Sequence, residues 1–307
     1  MDKEMLSRWV EGTMKELQSL GQVEVDATGS YEATPLARAT VGSGMTPEDG
    51  VFVQDELQRA LRAFVMDGEM HVFYMFTPIN IWGISEINWR IFRNEIERLD
   101  ESGMRVLAFV GISPAFVNRM ANSGKQLPEE DEEQRRTARV YRRFYAAFQL
   151  RDLCHEIPIP TVARKFETAR GLVQTLAQTC EGFAAGMIQF CETMGWGMLK
   201  SVLEHMSDRL KAGARADLLD LARIPFVKSR TARVFWENGM RSLRAVAEAE
   251  AKDLVPLLLL AQPKRYNVEK AEDERYQQKL LLRCEVIVEA ASRLWSQEQR
   301  MDIEGDM

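Results

Sequence analysis

The stretch Leu218–Leu243, LLDLARIPFVKSRTARVFWENGMRSL, constrains the fold most tightly, because it prescribes two helices joined by a short turn. An apolar lead (Leu218, Leu219, Leu221) enters the turn Ile224-Pro225-Phe226-Val227-Lys228. A second helix carries Ser229 to Arg233 and stops at Asn238-Gly239, since either residue tolerates a left-handed backbone. Such a pair fits a helix-hairpin-helix, which holds nucleic-acid phosphates with backbone N–H groups at a helix N-terminus. The usual hairpin reads roughly I-P-G-V-G, so Phe226 and Lys228 stand at its two glycine positions. Without glycine the backbone approaches a phosphate less closely, while Lys228 can reach one with its side chain. Arg230 and Arg233, three residues apart, share a helix face. The expected DNA-binding set is Arg223, Lys228, Ser229, Arg230, Thr231 and Arg233. The structural alternative is a helical turn with solvated charge.

Charge distribution supports the first reading more than the total does. The net charge of −6 argues against a wholly basic nucleic-acid binder. Between Lys200 and Arg244, however, ten basic residues face five acidic ones. The acid is concentrated elsewhere, notably in Glu129–Glu133 and the tail. A chain of 307 residues with 46% hydrophobic and 28% charged residues can bury a large core in two or three domains. Cys154, Cys180, Cys191 and Cys284 are too scattered for a disulfide framework and form no C-x-x-C pair, so reduced, partly buried thiols and no zinc are expected. The first twenty residues lack a signal peptide's apolar core, and no run approaches the roughly 18 apolar residues of a membrane span. An intracellular, soluble protein is expected.

At the start of the chain, Leu6, Trp9, Val10, Met14 and Leu17 define an amphipathic helix that Gly21 ends. Val23–Val25 and Tyr31–Thr34 alternate around Asp26–Ser30 as a short hairpin. A helix followed by two strands is the last half of a winged helix, which predicts that the chain begins inside a larger ancestral protein. Thr46-Pro47-Glu48-Asp49 starts a helix expected to reach Met66 and break at Asp67-Gly68. Met70–Phe76 is a dense apolar run that reads equally as a strand or a buried helical turn. Helices near Asn88–Asp100 and Ala115–Ala121 follow, then an acidic loop, Pro128–Glu133.

From Gln134 a long helix turns Val140, Tyr141, Phe144, Tyr145, Phe148 and Leu153 inward. Arg135, Arg136, Arg139, Arg142, Arg143 and Arg151 fall on its other faces, either as a charged outer surface or as a stripe toward a phosphate backbone. A short helix at Thr161–Phe166 and a long Ala- and Gly-rich one at Ala169–Thr193 come next, the small residues allowing close approach to another helix or to nucleic acid. Met198–Leu210, Leu243–Leu260 and an amphipathic Glu269–Gln297 complete the chain, the last needing an apolar partner.

No phosphate-cradling loop can be read. The only Gly-Lys pair, Gly124-Lys125, is followed by Gln126 and has Arg119 where the first glycine should stand. His71, His155 and His205 lie far apart, and no carboxylate pair can be defended as general acid and base. No catalytic, cofactor or metal residue is expected.

Five segments in order resemble one family. Y-E-A-T-P-L (Tyr31–Leu36) is similar to the end of the winged helix in Ski2-like superfamily-two DNA helicases, in particular the helicase half of DNA polymerase theta, the HELQ-type helicases and their archaeal relatives. H-V-F-Y-M-F-T-P (His71–Pro78), V-G-I-S-P-A-F (Val110–Phe116), V-Y-R-R-F-Y-A-A-F-Q-L (Val140–Leu150) and I-P-F-V-K-S-R-T-A-R (Ile224–Arg233) fall in that family's order. The resemblance implies a helical bundle closing around a tracking DNA strand, with Ala169–Thr193 as its ratchet helix. Archaeal members carry an Arg and a Trp there; the matching positions are Thr175 and Gly182.

The expectation is a mainly α protein: a truncated winged helix (1–45), a ratchet-type bundle (46–212), a helix-hairpin-helix (213–262) and a C-terminal helix with an acidic tail (263–307). The resemblance implies a DNA-binding module of a nuclear repair helicase. Its partners would be single-stranded or forked DNA and separate motor domains or other repair proteins, with no membrane. It carries no cofactor, because ATP and magnesium belong to motor domains this sequence lacks, and no catalytic activity of its own is expected. The alternative is a non-catalytic protein-interaction module; weaker is a small enzyme that borrowed the hairpin.

Overall fold

The computed structural model describes residues 3–62, 69–81, 86–124, 127–213, 215–262 and 274–305. The described residues are mainly α-helical and include a single two-stranded sheet. The chain divides into two compact units, Met1–Asp152 with Pro158–Ser207, and Leu153–Ile157 with Asp208–Met307.

In the first unit, α1 (Lys3–Ser19) ends where Gly21 takes a left-handed φ of 66°. Met5, Leu6, Trp9 and Val10 face solvent, Trp9 keeping 69% of its surface. Strands β1 (Val23–Val25) and β2 (Tyr31–Ala33) pair antiparallel with Val23 opposite Ala33. Thr34 accepts from the Ala37 amide at 3.1 Å and so caps α2 (Pro35–Gly42), a helix the sequence reading did not include. The expected Thr46-Pro47 start opens α3 (Pro47–Arg62), with the Asp49 amide 3.2 Å from Thr46 Oγ1. Its expected end, at Met66 and Asp67-Gly68, lies outside the described residues.

The ambiguous apolar run is helix α4 (Met70–Phe76), buried at every position. His71 sits edge-on to Phe109 at 5.2 Å between ring centroids, and burial holds its pKa at about 4 rather than 6.5. Helices α5 (Trp89–Glu97), α6 (Glu101–Val110) and α7 (Pro114–Ser123) begin at Asn88, Asp100 and Ser113, each accepting a hydrogen bond from an amide three residues on. Helix α6, absent from the sequence reading, carries both Asp100 at its start and left-handed Gly111 at its end. Phe92 of α5 is fully buried against Tyr141, Phe144, Tyr145 and Phe148 of α8 (Glu132–Cys154).

The arginines of α8 correct the sequence reading. Arg135 and Arg136 are outer residues, about half exposed and paired with Glu132 and Asp55. Arg139 pairs with Asp49 at 3.6 Å, and Arg142 with Glu129 of the acidic loop. Arg143 is only 2% exposed, donating to the carbonyls of Thr77 (3.0 Å) and Tyr74 (3.3 Å), with Glu56 at 3.6 Å. Arg151 and Lys165 share the buried carboxylates of Glu95 and Asp152. Most of this stripe therefore fastens helices together, because a buried guanidinium is tolerated where carbonyls and a nearby carboxylate offset its desolvation.

Helices α9 (Ile159–Lys165), α10 (Arg170–Thr193) and α11 (Gly197–Ala212) follow. The small residues of α10 serve helix packing at one point. A Cβ on Gly186 would fall 2.9 Å from the Ser43 carbonyl, beside the end of α2.

The second unit has one core. After a 3-10 turn at Ala216–Leu218 come α12 (Leu219–Ala222), α13 (Ser229–Glu237), α14 (Leu243–Ala247), α15 (Ala251–Leu260) and α16 (Glu274–Gly305). Leu243–Leu260, expected as one segment, is thus two helices around Glu248–Glu250. Leu280, Cys284, Ile287 and Ala291 recur along one face of α16 and are buried with Leu221, Ile224, Val227, Phe235 and Val246. The apolar partner that the last helix needs is supplied mainly by α14 and α15, in a core shared with the hairpin. All four cysteines are buried and form no disulfide with one another, and burial pushes Cys191 up to about 12 and Cys284 to about 11, which keeps these two thiols protonated and unreactive.

Candidate nucleic-acid interface

The hairpin tip is a tight turn. The Ile224 carbonyl accepts from the Val227 amide at 3.0 Å, Pro225 follows Ile224, and Phe226 adopts φ 68°. Proline followed by a positive φ is the pattern of a type II turn, whose third position favours glycine. Phe226 therefore keeps the backbone shape of the glycine it replaces, at a cost of roughly 1–2 kcal/mol. Ile224 and Val227 are buried and anchor the tip, while the Phe226 ring is 59% exposed.

Lys228 precedes α13 in an extended conformation with no side-chain cap. The Ala232 amide closes the first turn on the Lys228 carbonyl at 2.8 Å. That leaves the amides of Ser229, Arg230 and Thr231, at the positive end of the helix dipole, without a side-chain acceptor. Ser229 and Thr231 are half-buried and Lys228 is exposed. Among the described residues, Lys228 makes no ion pair or hydrogen bond through its amine.

The other cations expected at this site differ in what holds them. Arg233 forms a two-pronged contact with Glu156 (2.7 and 2.9 Å) and another with Asp217 (3.1 Å), and these hydrogen bonds, Glu156 first, raise its pKa further. Arg233, one of the expected DNA-binding residues, thus has its charge compensated within the fold. Arg223 pairs with Glu298 at 2.6 Å and lies 3.9 Å from Asp220. Arg230 donates to the Gln262 carbonyl at 3.0 Å, a contact that fixes the side chain without cancelling its charge. One cation was missed. Arg283 of α16 donates to the Phe226 carbonyl at 3.0 Å, and its guanidinium lies 5.8 Å from the Phe226 ring centroid. Nothing local marks it, since it stands 57 residues downstream in an ordinary amphipathic helix.

In the first unit, Thr175 and Gly182 occupy the exposed face of α10, and a Cβ on Gly182 would meet nothing within 4 Å. A groove of about 1020 Å³ lies near the start of that helix, lined by Asn88, Trp89, Arg90, Asn122, Glu167 and Leu172 among others. Among the described residues, no group of three or more His, Cys, Asp or Glu side chains could hold a metal ion, and no helix is long and apolar enough to cross a membrane.

Comparison with known proteins gives a consistent picture. The family model described as "DNA_pol_Q helicase like region helical domain" matches residues 47–210, and a model for a domain of unknown function matches residues 216–295. The chain is similar to DNA polymerase theta of Drosophila melanogaster, 32% identical over 244 residues, covering 79% of this chain and 12% of that protein. It is similar to the human helicase POLQ-like, 24% identical over 233 residues, 76% of this chain and 21% of that protein. The ATP-dependent DNA helicase Hel308 of Aeropyrum pernix is 26% identical over 261 residues, 85% of this chain and 31% of that protein. The chain thus spans less than a third of the length of each of these relatives.

Proposed function

The chain belongs to the DNA polymerase Q helicase-like helical-domain family, and from that premise we propose that it is the DNA-engaging module of a theta-, HELQ- or Hel308-type repair helicase. One observation supports this reading above the others. The hairpin keeps a left-handed tip at Phe226, followed by an N-terminus of α13 with no side-chain cap and by Lys228, whose amine is unpaired among the described residues. A phosphate can accept from those amides while Lys228 supplies charge, without reading base sequence. The proposed division is a winged-helix end over 1–45, a ratchet-type bundle over 46–212, the helix-hairpin-helix over 213–262 and a C-terminal helix over 263–307. Its partner is single-stranded or forked DNA in the nucleus, acting with motor domains that supply the ATP and magnesium chemistry.

The test is titration of the chain with single-stranded and forked DNA at several salt concentrations. With Arg223 and Arg233 held by carboxylates, two or three phosphate contacts remain, so log K falls with log salt at a slope of roughly −1.5 to −2.5. A flat response, or no binding at low salt, overturns the reading. The same preparation should show no DNA-stimulated ATP hydrolysis; magnesium-dependent turnover that survives repurification would contradict the assignment of that chemistry to other domains. A second reading, a protein-docking module, is favoured by the exposed Met5, Leu6, Trp9 and Val10 of α1.

A further inference from the structure

Phe226 is not explained by either the fold or the phosphate grip. Its ring contributes nothing to the core, being 59% exposed. Its backbone, at φ 68°, is in the region glycine occupies without strain. The hydrogen bond from Arg283 reaches the Phe226 carbonyl, which any residue at this position would present equally well. Single exposed aromatics are common and need no explanation. An exposed aromatic that the chain must strain itself to hold is different, because the strain brings no packing in return.

The surroundings indicate what the ring faces. The Arg283 guanidinium lies 5.8 Å from the ring centroid, close enough for a cation–π contact that steadies the ring. Lys228 follows two residues later, with its amine free among the described residues, and then come the open amides of α13. An aromatic surface and an exposed cation therefore stand within three consecutive residues, comparable in span to one nucleotide. Aromatic side chains recognise single strands by stacking on unpaired bases irrespective of sequence, while bases in a duplex are already stacked on one another.

We propose that Phe226 is a stacking platform for an unpaired DNA base, steadied by Arg283, and that it gives the hairpin its preference for single-stranded over duplex DNA. This rests on the proposed DNA-binding function and adds the structure of the substrate to it.

The experiment uses the full chain, a single-stranded oligonucleotide carrying one 2-aminopurine, and its duplex. Phe226→Gly removes the ring and suits the turn; Phe226→Trp keeps an aromatic surface. Lys228→Ala serves as the charge control. Stacking on the parent protein should quench the 2-aminopurine beyond what phosphate contact alone produces. Phe226→Gly should weaken single-strand binding roughly 5- to 100-fold, abolish the extra quenching, and leave duplex affinity and the salt slope unchanged. Phe226→Trp should retain both quenching and preference. Single-strand affinity unchanged in Phe226→Gly, or single-strand and duplex affinity falling together, overturns the proposal. Phe226→Asn, which also tolerates the left-handed turn, repeats the measurement should the glycine variant melt early. If the parent binds with the expected salt slope and Lys228→Ala lowers it while Phe226→Gly changes nothing, only the platform is lost. If the parent binds no DNA, the platform and the proposed function fall together.

Discussion

Helix α8 and the hairpin around α13 both look basic, yet their cations are held in different ways. On α8 each of the six arginines lies within reach of a carboxylate, from Arg135 with Glu132 to Arg151 with Glu95 and Asp152. At the hairpin, Arg223 and Arg233 are matched likewise, but Arg230 and Arg283 donate to backbone carbonyls and Lys228 to nothing among the described residues. A carboxylate cancels a cation's charge; a carbonyl fixes its position and leaves the charge available. Counting basic residues is thus a poor guide to a phosphate-binding surface, and the kind of acceptor each one meets is a better one.

Four measurements test this contrast, beginning with the largest expected effect. Arg143→Ala should destabilise the chain by about 3–5 kcal/mol, since it leaves two buried carbonyls without their donor and Glu56 paired with Arg59 but without its buried partner. A melting temperature unchanged from the parent would mean that α8 does not depend on its arginines. Acid should act on the same unit through His71. The unfolded chain takes up a proton near pH 6.5, while the folded one resists until about 4. Stability from this residue is therefore complete above pH 6.5 and is lost as pH falls toward 4, by on the order of 3 kcal/mol. Denaturant titrations across that range should show the loss, and His71→Gln should remove this pH dependence.

Arg233→Ala should cost about 1–2 kcal/mol, because Glu156 and Asp217 lose a partner in a partly solvated setting. It should leave the salt slope of DNA binding in place; a fall in slope would show that the guanidinium leaves its carboxylates for a phosphate. Lys228→Ala should shift stability by no more than about 0.5 kcal/mol and reduce the salt slope by roughly one unit. An unchanged slope would remove Lys228 from the grip.

Much of the helical outline was legible, because caps are local chemistry. Thr46-Pro47, Asn88 and Asn238-Gly239 mark boundaries that the structure places within a residue or two. Helix α2 is hidden in the sequence because Thr34-Pro35 reads equally as the end of a strand, and α6 because Asp100 reads equally as the end of α5 and as a new start. Met70–Phe76 could not be resolved by periodicity, since a helix buried on every side has no polar face. At the candidate site the departure from I-P-G-V-G could be read directly, but not the retention of the glycine-like φ at Phe226. Which cations are compensated was also invisible. Glu156 lies 77 residues from Arg233, and Asp55 lies 81 from Arg136. Those distances are set by the fold and leave no spacing to recognise.

The grouping of Leu153–Ile157 with the C-terminal segment has a practical consequence for anyone who dissects the protein. Cutting the gene before Asp208 keeps the hairpin helices together, yet it discards Glu156, which contacts Arg233 at 2.7 Å and accepts from the Arg215 amide at 3.4 Å. The excised piece would keep Asp217 on Arg233 but lose the two-pronged Glu156 contact, so less of that guanidinium's charge would be compensated than in the intact chain. Its affinity for any polyanion would be inflated, and the excess would look like function. Fragments meant to report on this hairpin should therefore keep residues 153–157, or carry Arg233→Gln as a control.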